Sequence, residues 1–190
     1  MKIKKLLAIC LCALGASALA FTACDDGEDE VKDEVTKYVL GMQNSADKAV
    51  TVDAEVTLAD GGVIVYTFTR HIEIDTGMHS ATISDTTTTL DADFEEKTTT
   101  STTAVQDVTG KTIIGLNLST ELVKEFEIKD GDLTCTVAKD KISDVLSKAV
   151  SASSDMTLKV DFENGKLTKA EYSYINTSSR TVSVTVTYGY

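Results

Sequence analysis

Two histidines and four cysteines are the most reactive side chains in this sequence, and their spacing narrows the available chemistry. His71 and His79 flank a predicted turn with Glu73 and Asp75 between them, so opposed strands could gather these groups around a metal ion. Two histidines among so many carboxylates more often form no such site, and neither a metal nor another cofactor is expected. Cys135 falls in the alternating run Leu133, Cys135, Val137, where a lone thiol reads as a small core side chain rather than a nucleophile. The sequence contains no GxSxG, HExxH or CxxC pairing and no glycine-rich phosphate loop. Its carboxylates are too numerous to single out a glycosidase pair. No catalytic residue is assigned, and a non-catalytic chain is expected.

The remaining cysteines lie near the N-terminus. A basic head (Lys2, Lys4, Lys5) precedes an apolar stretch from Leu6 to Ala20 and then small residues ending at Ala23-Cys24, the pattern of an export signal. The stretch is about 15 residues, short of the roughly 20 that span a bilayer as a helix, so removal fits better than permanent insertion. Phe21-Thr22-Ala23-Cys24 resembles a bacterial lipobox, with Phe21 standing where leucine is usual. In that motif the cysteine sulfur receives a diacylglyceryl group before the chain is cut in front of it. Residues 1–23 are then a signal peptide, and Cys24, carrying acyl chains such as palmitate, anchors the protein to a membrane. Several chains on one residue hold lastingly, whereas one holds marginally at about 0.8 kcal/mol per buried methylene. The alternative is an ordinary secretory signal with an incidental cysteine. Either way the address is extracytoplasmic; the lipobox makes it the bacterial cell envelope, with the membrane face left open.

Charge excludes other attachments. The formal net charge is −12, and loss of the three N-terminal lysines takes it to about −15. Nucleic acid and anionic lipid surfaces both call for clustered Lys and Arg, so neither is an expected partner. Residues 24–34 form a lipidated tether, since Asp25 to Glu34 (DDGEDEVKDE) holds seven acidic residues against one lysine. Residues 35–190 are long enough for one domain with its own core.

Periodicity sets the elements of that domain. Val31, Val35, Tyr38, Val39 and Met42 share a helical face that closes near Gly41 and Asn44. From Val50 to Leu58 the period becomes two, and Asp60-Gly61-Gly62 turns the chain into Ile64, Tyr66 and Phe68. The threonine-rich stretch reads as strands around 79–89 and 95–105, or alternatively as a low-complexity loop. A strand with Ile113, Ile114, Leu116 and Leu118 follows, then a helical turn near Ser119 bearing Leu122 and Val123. Phe126 and Ile128 pair with Leu133, Cys135 and Val137 across Lys129-Asp130-Gly131. Asp140 is a plausible N-cap for a helix with Ile142, Val145, Leu146, Ala149 and Val150 on one face. Strands around Leu158 to Phe162, Leu167 to Ile175 and Val182 to Tyr188 close the chain, the first two joined by Asn164-Gly165. The expected fold is α+β, mainly β: a strongly curved antiparallel sheet of about eight to ten strands, with two or three short helices covering one face.

The N-terminal lipobox, the runs SADKAVTVDAEVTL, GLNLSTELVKEFEIKDGDLTCTVAKDKISDVLSKAV and MTLKVDFENGKLTKAEYSYI, and the closing VSVTVTYGY resemble lipoproteins of the LolA/LppX-like group over residues 31–190. The resemblance implies a half-barrel wrapped around helices, with an apolar cavity that holds acyl chains. The threonine-rich middle departs from that pattern. A lipid or other apolar molecule is the ligand so implied. Large apolar and amphipathic side chains nominate its lining: Tyr66, Phe68, Ile142, Leu146, Val160, Phe162, Tyr172 and Val184. The competing reading is a filled core in a structural or interaction module displayed at the envelope.

Overall fold

The protein is described by a computed structural model covering residues 34–91, 93–106, 116–119 and 121–190. The segment expected to be a signal peptide (residues 1–23), Cys24 and nearly all of the expected tether lie outside the described residues. A helix, α1 (Glu34–Ala46), leads into β1 (Thr51–Asp60), β2 (Val63–Asp75), β3 (Ser80–Leu90) and β4 (Glu96–Gln106). Then come β5 (Val123–Lys129), β6 (Asp132–Val137), one helical turn α2 (Ile142–Val145), β7 (Met156–Glu163), β8 (Lys166–Ile175) and β9 (Thr181–Gly189). The nine strands form one antiparallel, unclosed sheet in the order β4-β3-β2-β1-β9-β8-β7-β6-β5. Two sequential meanders thus meet where the first strand pairs with the last, from Thr51 opposite Gly189 to Ala59 opposite Thr181.

The alternation seen in the sequence becomes two faces of this sheet. Val56 sits opposite Phe68 on one side and Val184 on the other, and Val184 opposite Tyr172. Toward β4 the same inner face turns polar: Phe68 lies opposite Thr87, and Thr87 opposite Thr99. Where the two regimes meet, Arg70 makes a two-pronged ion pair with Asp85, both contacts 2.7 Å, while its guanidinium lies 5.4 Å from the Phe68 ring centre. The threonine-rich stretch is therefore a paired hairpin and not a loop. Threonine's branched Cβ suits a pleated strand, and cross-strand pairs such as Thr88 and Thr98, with hydroxyls 3.1 Å apart, knit it together.

Helical cover is thinner than periodicity suggests. α1 buries Met42, Ser45 and Ala46 near the β7–β8 turn. There Tyr38 donates to the Val160 carbonyl at 3.2 Å and meets the Phe162 ring edge-on, 5.2 Å between centres. The helix expected over residues 140–150 is the single turn α2. Lys141, not Asp140, holds the N-cap position, and Ser147 adopts φ +49°. Ser143 Oγ both accepts from the Val150 amide at 3.0 Å and donates to its carbonyl at 3.2 Å. A serine that offers the backbone such partners competes with helix continuation. Near Ser119 the chain makes one turn, Leu122 N donating to the Ser119 carbonyl at 3.0 Å, and Val123 opens β5.

The strand expected around residues 113–118 is not found where it can be seen: 113–115 lie outside the described residues, and 116–119 are not a strand. In sequence this segment lies between β4 and β5, which stand at opposite edges of the sheet. Leu116 and Leu118 are buried, and Asn117 N donates to the Val145 carbonyl at 2.7 Å. No helix among the described residues is long and apolar enough to cross a membrane.

Candidate functional site

The cross-strand register builds the floor of a small hollow from two rows. Tyr172, Val184 and Val56 form one, and Tyr174, Val182 and Leu58 the next, each crossing β8, β9 and β1 in turn. Residues Lys148–Ser151, which follow α2, supply the roof, and Asn176–Ser178 of the β8–β9 turn form one wall. The volume of the hollow is about 110 Å³.

Roof and wall are fastened by backbone and short polar side chains. Val150 is pinned at both its amide and carbonyl by Ser143, as above. Thr177 N donates to the Ser151 carbonyl at 3.1 Å, and Ala152 bridges to Asn176. The Asn176 side-chain oxygen accepts from the amides of Ser178 at 2.9 Å and Arg180 at 3.0 Å, which fixes the turn. Ser153 Oγ donates to the carbonyls of Ile175 and Asn176. The floor is aliphatic and phenolic; the roof and wall mix Ala149 and Val150 with the polar side chains of Ser151, Asn176, Thr177 and Ser178, and Lys148 is the single charged residue of the lining.

Of the eight residues nominated from sequence, Tyr172 and Val184 line the hollow. Tyr66 and Phe68 continue the same floor one strand further, opposite Leu58 and Val56. Ile142 and Leu146 are buried beside α2, while Val160 and Phe162 lie under Tyr38 at the α1 end. Cys24 lies outside the described residues. Val56, Leu58, Tyr174, Val182 and the segment Lys148–Ser151 were not singled out. The four strand residues carry the same alternation as their neighbours, and only the β1–β9 pairing distinguishes them.

The other reactive groups have structural surroundings. His71 Nδ1 lies 2.6 Å from Asp53 Oδ1 directly across the β1–β2 ladder, and its Nε2 lies 3.5 Å from Glu73 Oε1. The hydrogen bond to Asp53, first, then the two carboxylate charges raise the imidazole pKa above its ordinary value. Asp75 instead caps the next turn, accepting from the amides of Gly77 and Met78, and His79 sits within that turn at φ +49°. No group of three metal-ligating side chains is assembled among the described residues. Cys135 is buried, and burial pushes its thiol up to about 11, so it is protonated and a poor nucleophile at neutral pH.

No family model and no curated protein matches this chain. Among solved structures, similarity extends to a redesigned beta barrel, mFAP1, bound to DFHBI, at 9% identity over 75% of this chain and 98% of that one, with a TM-score of 0.22. A score that low carries no argument about ligand or role.

Proposed function

We propose that this chain is a non-catalytic lipoprotein of the bacterial cell envelope, anchored through acyl chains on Cys24, that takes an apolar group into the hollow over β1, β9 and β8. On this reading the sheet is the strongly curved half-barrel of the LolA/LppX-like group. The observation that carries the binding reading is a roofed hollow with an apolar floor, placed between the sheet and the segment that follows α2. Its size limits the occupant. A dry engineered cavity of about 150 Å³ accepts benzene, whereas sites for larger ligands run to roughly 300–1,000 Å³. At about 110 Å³ the hollow suits a single ring or a short branched chain. A full acyl chain requires residues 148–151 to lift.

Native mass spectrometry of the detergent-extracted lipoprotein, followed by titration with benzyl alcohol and dodecanoate, tests this. Bound mass or saturable binding is expected, and it should vanish in Val184→Phe, whose larger side chain fills the floor. Absence of both in the wild type overturns the binding reading. Cys24→Ala should release the protein from membranes and abolish labelling by radioactive palmitate; unchanged labelling overturns the anchor.

A second reading, an interaction module with a filled core, is favoured by a different observation: Met42 of α1 and Leu133, Met156, Leu158 and Val160 of β6 and β7 are wholly excluded from solvent. It predicts a protein that stays empty under every probe.

A further inference from the structure

The two edges of the sheet are built differently. β5 carries Lys124, Glu125, Glu127 and Lys129, and its pairing with β6 slips between Val123 and Glu125. Charges and bulges of this kind keep an edge from recruiting another strand. β4 has neither safeguard along most of its length. Residues 98–106 (TTTSTTAVQ) carry no charge, the sequence contains no proline, and the pairing with β3 runs from Ser80 opposite Gln106 to Leu90 opposite Glu96 without a slip. Nearly every β4 side chain is exposed, and among the described residues β3 is its only partner strand. An eleven-residue, threonine-rich edge without a bulge is a template for a further strand.

We propose that this edge pairs, antiparallel and about a two-fold axis through Ser101, with the β4 of a second copy of this chain. Charge selects the partner. Two copies of a chain with formal charge −12 repel over most of their surfaces, and residues 98–106 of β4 are an uncharged stretch through which they can approach. Side-chain fit selects it again, since a two-fold interface must be self-complementary. With Ser101 opposite itself, Thr99 meets Thr103, Thr100 meets Thr102, and Glu96 meets Gln106, so no charge faces its own kind. Threonine opposite threonine is also the pairing β4 already makes with β3, at Thr86–Thr100, Thr87–Thr99 and Thr88–Thr98. The product is one sheet of eighteen strands, twice the nine of a single copy, running across both copies.

Full-length protein in bacterial membranes tests the pairing. Ser101→Cys should form a disulfide-linked dimer under mild oxidation, whereas Thr134→Cys, exposed on β6 far from this edge in strand order, should not. In detergent, sedimentation should show a concentration-dependent dimer that Ser101→Lys weakens by about tenfold or more, because two ammonium groups then face each other on the axis. Equal crosslinking at Thr134→Cys, a wild type that stays monomeric at every concentration, or a Ser101→Lys protein that dimerises unchanged each overturns the proposal. Retention of the wild-type β spectrum by Ser101→Lys separates lost pairing from lost folding.

Discussion

His71 stands between two carboxylates on the outer face, and the consequence is measurable. Because Asp53 raises the folded-state pKa above the ordinary 6.5, the stabilisation from this contact is fully present below that pH and fades as pH climbs through the higher folded value. An NMR titration of the imidazole should give a raised pKa that falls toward 6.5 in Asp53→Asn. A titration unchanged by that substitution would deny the contact its role. The Arg70–Asp85 pair is a heavier commitment, since both side chains are mostly shielded on the inner face. Asp85→Ala removes the two-pronged partner of that guanidinium and should lower stability by about 2 kcal/mol, less than the figure for a fully buried pair. The joint change Arg70→Met with Asp85→Leu should recover much of that loss in denaturant unfolding. Neither contact is visible in the linear sequence. Periodicity assigns Arg70 and Asp85 to a face, but only the register puts one opposite the other.

At the scale of elements, the hairpins were legible and the covering segments were not. Asp130-Gly131 and Asn164-Gly165 occupy left-handed conformations at the β5–β6 and β7–β8 turns, φ +55° and +97°, then +52° and +73°. This is the demand that aspartate or asparagine followed by glycine advertises. The segment after α2 carries an equally good helical pattern, yet it leaves the helix because Ser143 captures the Val150 backbone and β8–β9 captures residues 151–154. Long-range partners overrode local propensity. Ser143→Ala removes both contacts to Val150 and should cost about 1–2 kcal/mol. Hydrogen exchange should then quicken at the Val150 and Thr177 amides while β7 remains protected. Uniform acceleration across the sheet would mean that Ser143 supports the fold as a whole rather than the roof.

At the scale of the molecule, everything hinges on β1 meeting β9. The seam is tight: a methyl added at Gly189 would drive into the Thr51 side chain, so Gly189→Ala should destabilise by about 1–3 kcal/mol in thermal or denaturant unfolding. A variant as stable as the parent would show that Thr51 can move aside. The seam also builds the hollow, since its floor takes residues from β1 on one side and from β9 and β8 on the other. A chain delivered from its N-terminus presents β1 to β4 first. Its leading meander can zip up locally, but β1 must wait for the final nine residues of the sheet, Thr181–Gly189, before its second flank is occupied. Pairing across that sequence distance is intrinsically slow. The floor of the hollow therefore cannot form until the last strand of the sheet has been delivered: the first strand to appear is among the last to be completed.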